Sequence, residues 1–359
     1  MDAYTKDGLT GLVLHSADAC IGCQYCTWNC PYGVPQFNEE RGVVGKCDMC
    51  HGRLEQGREP ACVNACPQGA IAVEIVNIAE WVGTRAMEAN APGMPPAEAT
   101  MSTTRITPPK NARGEFRKGD YHRVRPEAAH WPLVFFLTLT QLAWGVLTFG
   151  RLPWLGLGLL ALGMVASVAH LGRPIHAMRA MKMWRRSWLS REVVLFSGYA
   201  AGAGFLLVTD QLRVGLGLLG AVAVYASARI YMVPARPSWQ TWRTAVEFWL
   251  TGLLAGAMVT GSPRLALGVA LAQAAMQIEK LVWLRGAGEF ELRQSARLLM
   301  EDFRWVFAAR LILLAGVFLP LEWALVAVAA GEMIGRYLFF VTVVPRNMAS
   351  TFSGMERAA

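Results

Sequence analysis

The residues with the plainest chemistry in this 359-residue chain are its eight cysteines, all between Cys20 and Cys66. They form two runs, Cys20-x2-Cys23-x2-Cys26-x3-Cys30-Pro31 and Cys47-x2-Cys50-x11-Cys62-x3-Cys66-Pro67. Thiolates at two-residue spacing let a turning backbone wrap three corners of an iron–sulfur cubane. In two-cluster ferredoxins the fourth ligand crosses over from the other run. By that rule one 4Fe–4S cluster takes Cys20, Cys23, Cys26 and Cys66, and the other takes Cys47, Cys50, Cys62 and Cys30. Pro31 and Pro67 turn the chain away after each crossing cysteine. Paired C-x2-C spacings also bind zinc, but two four-cysteine runs that each end in Cys-Pro are more specific than a zinc ribbon. Disulfides fit poorly with a cytoplasmic location. His51 adjoins a ligand, yet all eight thiolates are already used, so it reads as an outer neighbour or a surface residue.

A second constellation lies far downstream. His170-Leu-Gly-Arg-Pro174 ends one long apolar run, and Ser187-Trp-Leu-Ser-Arg-Glu192 opens the next. A histidine and a carboxylate at one depth can hydrogen-bond a quinone headgroup and exchange its two protons, a task suited to groups that titrate near neutrality. A helix-end histidine bonded to a carbonyl is the plainer alternative for His170 alone. Arg229, Glu247, Glu279, Lys280, Arg310, Glu332 and Arg336 also lie near or within apolar runs. Each charge near a bilayer centre costs about 2.5–3.5 kcal/mol on insertion scales, so such groups pair or line a polar cavity. Glu332 and Arg336 are spaced for an i, i+4 ion pair, and with Arg310 they read mainly as charges that hold helices together. Of the six histidines, only His170 and His176 lie beyond the start of the first apolar run, so no bis-histidine haem stack is expected. Electrons therefore enter and leave on one side.

The elements that position these groups fall into three zones. Residues 1–82 form the cysteine head, an α+β ferredoxin-like domain. Residues 83–128, rich in Pro, Ala, Met and charge, read as an extended linker. Residues 129–345 hold eight apolar runs at about 131–150, 153–171, 192–209, 213–233, 244–261, 264–284, 304–320 and 322–344, an all-α eight-helix transmembrane bundle. A tail, 346–359, follows. Interior glycines suit close helix packing in lipid. The mean hydropathy of +0.31 averages a polar head and an apolar body. The net charge of +8 divides the same way, since residues 1–80 carry five Lys/Arg against ten Asp/Glu. The basic excess sits beside apolar runs, where it reports topology rather than nucleic-acid binding. With the head on one side, only Arg151, Arg213 and Arg264 fall on the other, which puts the head in the cytoplasm and the chain in the inner membrane as a multi-pass protein. Residues 1–19 lack the basic leader and apolar core of a secretory signal. Arg185-Arg186, deep in the chain, is no export signal.

The head resembles the iron–sulfur subunit of the dimethyl sulfoxide reductase family of molybdoenzymes. The resemblance rests on Cys20-Ile-Gly-Cys-Gln-Tyr-Cys26, Cys30-Pro-Tyr-Gly-Val-Pro-Gln-Phe-Asn38, Lys46-Cys-Asp-Met-Cys-His-Gly-Arg53 and Ala61-Cys-Val-Asn-Ala-Cys-Pro67. One departure is plain: separate iron–sulfur subunits of that family typically carry four clusters, and this chain has cysteines for two. The apolar body resembles the eight-helix anchor of the same family in its His-Leu-Gly and Ser-x-Leu-Ser-x-Glu segments, in Ile230-Tyr231 through Pro234-Ala-Arg-Pro-Ser-Trp239, and in Gly331-Glu-Met-Ile-Gly-Arg336 with Phe339. The resemblance implies that His170 and Glu192 belong to a quinol site. It also implies a partner chain that holds a molybdopterin or tungstopterin cofactor, with room for a further iron–sulfur subunit. The expected function is electron transfer between the quinone (menaquinone) pool and that partner, as one subunit of an oxidoreductase complex. A ferredoxin–quinone oxidoreductase without a pterin partner and a membrane-tethered redox sensor are the alternatives.

Overall fold

The computed structural model describes residues 2–84, 95, 100, 103–107, 124–149, 152–205 and 213–346. Most of the expected linker, Arg151 and the tail from 347 lie outside them. The chain divides into two compact units, Met1–Arg123 with Arg346–Ala359, and Val124–Pro345.

In the first unit β1 (Tyr4–Lys6) pairs antiparallel with β2 (Val13–His15), and β3 (Gln36–Asn38) pairs antiparallel with β4 (Val43–Gly45). Short polar side chains make the turns. The Asp7 carboxylate accepts the N–H groups of Leu9 (2.9 Å) and Thr10 (2.6 Å) after β1, and Asn38 accepts that of Arg41 (2.8 Å) after β3. Four short helices, α1 (Tyr25–Asn29), α2 (His51–Leu54), α3 (Ala61–Asn64) and α4 (Ile78–Thr84), carry or follow the cysteines. Strands and helices this short are not stable alone. The head's core gathers Ala3, Cys20, Val43 and Val44, with Ala17, Ala19, Cys26 and Phe37 packed around them. Two of the expected iron ligands are therefore also core residues.

The second unit is helical. Its elements are α5 (Trp131–Phe149), α6 (Pro153–Ala169), α7 (Trp188–Phe205), α8 (Arg213–Tyr231), α9 (Trp242–Val259), α10 (Pro263–Gly286), α11 (Phe290–Arg297), α12 (Arg304–Leu314) and α13 (Leu321–Val341). A 3-10 stretch, Pro174–Met183, precedes α7, and a π-helical turn, Leu298–Asp302, precedes α12. Pro153 and Pro263 open their helices, where a missing N–H costs nothing. Short connections between long helices force neighbours to run antiparallel.

Each of the eight expected runs contains a helix, but they are not equivalent. Four of them (α5, α8, α10 and α13) are long and apolar enough to cross a bilayer by length and composition. The pair formed by α6 and the 3-10 stretch, bent by 98°, makes up to a fifth. The others fall short for visible reasons. α12 has 11 residues, while α7 and α9 carry Arg191 with Glu192 and Arg243 with Glu247 in their first two turns.

Large apolar side chains left exposed, such as Leu162, Val165, Val214, Leu218, Leu271, Val282, Ile312 and Val326, lie on helices rather than loops. In water such surfaces are costly, and in lipid they are at home. Inside, α5 and α9 cross closely: a Cβ added at Gly145 would stand 1.8 Å from the Gly252 carbonyl oxygen. Small residues at such a crossing let helix backbones meet where lipid gives no hydrophobic driving force.

Candidate cluster and quinone sites

Both cysteine runs of the head bend by the same backbone device. Gly22 and Gln24 take positive φ values (72° and 56°), which turns the loop through Cys20, Cys23 and Cys26. In the second run Met49 and Cys50 do so (57° and 54°). Non-glycine residues rarely adopt this region, and it appears here where successive N–H groups must turn toward one point. The first sulfur of each run accepts an N–H from two residues on: Gly22 to Cys20 Sγ and Met49 to Cys47 Sγ, both 3.4 Å. Ala61 N–H reaches Cys50 Sγ (3.4 Å), which brings α3 and its Cys62 against the second loop. After each crossing cysteine, Cys30-Pro31-Tyr32-Gly33 and Cys66-Pro67-Gln68-Gly69 form the same turn, with the glycine N–H bonded to the cysteine carbonyl at 3.2 Å.

These donors suit sulfur that carries negative charge. Burial pushes the Cys23 thiol up to about 12, and raises Cys26 as well. Backbone N–H groups, Ala70 first, lower Cys66. Cys20, Cys23 and Cys26 lie within electrostatic range of one another. Among the described residues no three His, Cys, Asp or Glu side chains converge tightly enough for a single metal ion. Backbone N–H groups aimed at the sulfurs of Cys20, Cys47, Cys50 and Cys66, in an all-thiol set, suit an iron–sulfur cluster. His51 stands 3.7 Å from Asp7 and 3.5 Å from Glu55, an outer neighbour of the second run.

In the bundle His170 caps the C-terminus of α6, and its Nδ1–H donates to the Ser167 carbonyl. That bond fixes the tautomer and leaves Nε2 as the ring's acceptor. α7 begins four residues earlier than the sequence suggested, so Glu192 lies in its second turn, buried, accepting the Ser227 hydroxyl of α8. His170 and Glu192 thus stand at the same end of adjoining helices without bonding each other. Two neighbours were not singled out from the sequence. His130, just before α5, lies within electrostatic range of His170, and Tyr231, at the end of α8, within range of Glu192. His130 edges onto Phe340, and burial holds its imidazole below the usual range. Nearby, Glu127 pairs with Arg236 (3.1 Å) and its N–H reaches the Val341 carbonyl (3.2 Å). No sequence signal marks His130, while Tyr231 falls in the Ile230-Tyr231 segment that carries the anchor resemblance; helix packing brings both to this end of the bundle.

The expected direct ion pair between Glu332 and Arg336 does not form. Arg336 instead donates to Thr251 Oγ1 (2.8 Å), which donates to Glu332 (2.6 Å). A hydroxyl on α9 outcompetes the i+4 geometry of α13, because Arg336 also reaches Gln141 of α5 and the Glu247 carbonyl. Lys280 pairs with Glu247 (3.1 Å), and Glu279 with Arg243.

Comparison with known proteins divides at the same place. Residues 1–75 match the 4Fe–4S dicluster domain, and residues 154–284 match the dimethyl sulfoxide reductase anchor subunit, DmsC. One chain joins an iron–sulfur domain to a dimethyl sulfoxide reductase anchor domain. The chain is 42% identical over 104 residues to the probable anaerobic dimethyl sulfoxide reductase chain YnfG of Escherichia coli (strain K12), covering 29% of this chain and 49% of that one. It is 49% identical over 61 residues to the B subunit of anaerobic dimethyl sulfoxide reductase from the same strain, covering 17% and 30%. The formate dehydrogenase iron–sulfur subunit of Haemophilus influenzae is also 49% identical over 61 residues, covering 17% and 20%. The chain spans about half the length or less of these relatives. No solved structure matches it.

Proposed function

We propose that this protein carries electrons between the membrane quinone pool and a separate pterin-dependent catalytic subunit. The observation that carries this reading is the joining, in one chain, of a dicluster match over 1–75 to an anchor match over 154–284, the latter containing both His170 and Glu192. Cys20, Cys23, Cys26 and Cys66 would hold one 4Fe–4S cluster, and Cys47, Cys50, Cys62 and Cys30 the other. Bound there, the clusters supply one-electron transfer.

The chain's own residues do the rest. Nε2 of His170 accepts a proton from a quinol hydroxyl, and the Glu192 carboxyl takes the second. Ser227 holds Glu192 in place for it, and His130 and Tyr231 line the approach. Backbone N–H groups on the thiolates offset cluster charge, and thus favour the reduced state.

Eight crossings accord with the tryptophans. Exposed Trp131, Trp184, Trp242 and Trp305 stand at or before the starts of α5, α7, α9 and α12, while Trp154 and Trp323 stand at the starts of α6 and α13. With alternating helices these make two belts, as at two lipid–water interfaces. The Lys/Arg bias supports a cytoplasmic head.

The test is quinol-driven reduction of the clusters in the purified chain, followed by electron paramagnetic resonance. His170→Ala and Glu192→Gln should keep both cluster signals and abolish their reduction by quinol. Wild-type rates in both variants would refute the quinone assignment, and an iron-free preparation loaded with zinc would refute the clusters.

A further inference from the structure

A second carboxylate lies buried in the bundle, and the quinone reading makes no use of it. Glu332, on α13, is about 1% exposed. Its oxygens accept from the Thr251 hydroxyl (2.6 Å) and the Gln273 amide, both neutral donors. Glu247 is different: the Lys280 ammonium meets both its oxygens at 3.1 Å, and Gln277 adds a bond at 3.2 Å. The hydrogen-bond donors of Glu332 are both neutral, and the nearest cation, Arg336, reaches it only across the Thr251 hydroxyl.

Thr251 of α9 and Gln273 of α10 bond Glu332 directly, and Arg336 of α13 lies within electrostatic range of it; linked to these by further bonds and charge are Gln141 of α5, Glu247 of α9, Gln277 and Lys280 of α10, and Arg310 of α12. Four of their buried polar atoms (Gln141 Nε2, Gln273 Oε1, Arg310 Nη2 and Arg336 Nη1) have no protein partner among the described residues. Buried polar groups almost always find one, and where protein supplies none, water does. A cluster meant only to pin helices together would close on itself. This one leaves four polar atoms for water to satisfy.

We propose that Glu332 is a proton-exchanging carboxyl group, served by water held among these helices, and that Glu247 and Lys280 connect it to the end of the bundle where α9 begins. The proton moves from water to Glu332 and back through the Thr251 hydroxyl, with no bond other than O–H made or broken. Arg310 and Arg336 stay protonated and orient the water. Three cations (Lys280, Arg310 and Arg336) surround two carboxylates, so a proton on Glu332 adds positive charge to a low-dielectric interior. An electron arriving nearby offsets that charge, and Tyr231 lies within electrostatic range of both Glu192 and Arg336. Reduction at the quinone site would then draw a proton onto Glu332. The inference rests on the quinone reading for this driving step alone.

The experiment is an infrared difference spectrum, reduced minus oxidised, of the purified full-length chain with menaquinone, poised by an electrode in H2O and in D2O. On reduction, a carboxylic-acid C=O band should appear, shift in D2O, vanish in Glu332→Gln and persist in Glu247→Gln. Thr251→Val keeps the carboxyl but removes its hydroxyl donor, so it should displace the band, and it decides the matter if Glu332→Gln does not fold. No such band in the wild type, or a band unmoved in both Glu332→Gln and Thr251→Val, would overturn the proposal. Because the electrode imposes reduction, the band reports on Glu332 even if His170→Ala leaves quinol oxidation intact, an outcome that would count against the quinone reading alone.

Discussion

In the head, strands of three residues and helices of four to seven surround a core that includes Cys20 and Cys26 themselves. In the bundle, helices of up to 24 residues meet through glycine contacts, buried tryptophans such as Trp144 and Trp239, and a polar interior of Arg, Glu and Gln. The apolar cluster at the head's core is four buried residues, Ala3, Cys20, Val43 and Val44, one of them an expected iron ligand, so on the cluster reading metal binding and folding would be coupled there. The bundle stabilises itself by backbone hydrogen bonds and packing, and its buried charges are matched by partners on neighbouring helices. One chain thus joins a unit of short elements around its cysteines to a unit of long, closely packed helices.

The largest effect follows from that contrast. Removing iron, or changing Cys20 and Cys26 together to Ala, should unfold the head while the helical unit survives. Limited proteolysis would then cut residues 1–84 quickly and spare the bundle, and equal resistance of both units would break the distinction. Next come the quinone-site variants. His170→Ala and Glu192→Gln should slow quinol-driven cluster reduction by about 10²–10⁴-fold, the usual worth of a positioned acid or base, with unchanged cluster spectra. A smaller change should follow Gly145→Val. Overpacking the α5–α9 crossing costs about 1–3 kcal/mol, read as a lower melting temperature of the bundle in detergent with the head's cluster spectra intact.

The smallest effect concerns Asp7. Backbone N–H of Thr10, then its hydroxyl and the N–H of Leu9, hold its carboxyl down to about 2, against an ordinary value of 3.8. Because the folded value is depressed, the stabilisation is complete above pH 3.8 and is lost as pH falls through about 2. Asp7→Asn should therefore lower the head's stability slightly near neutrality and flatten its acid-stability profile between pH 3.8 and about 2, so that the two proteins converge at the acid end. A profile identical to wild type would remove Asp7 from the turn's account.

Much of this was legible from residue spacing. The cysteine runs announce a two-cluster site because thiolate geometry constrains local sequence, and the Cys-Pro-x-Gly turns recur in both halves for the same reason. The apolar runs announce helices because lipid admits no unsatisfied backbone. The pairing of Glu332 with Arg336 misled, since an i, i+4 spacing says that two side chains are neighbours without saying which third group stands between them. Thr251 lies 81 residues from Glu332, and no local pattern ties the two.

Sequence by itself determined what is encoded within a few residues: the two cysteine runs, the turns and the helical runs. Tertiary structure alone decided that His130 lies within electrostatic range of His170 and Tyr231 of Glu192, and that one buried carboxylate takes a hydrogen bond from an ammonium while the other takes its bonds from neutral donors. Those outcomes depend on side chains brought together from helices distant in the chain, and packing geometry, rather than spacing, sets their distances.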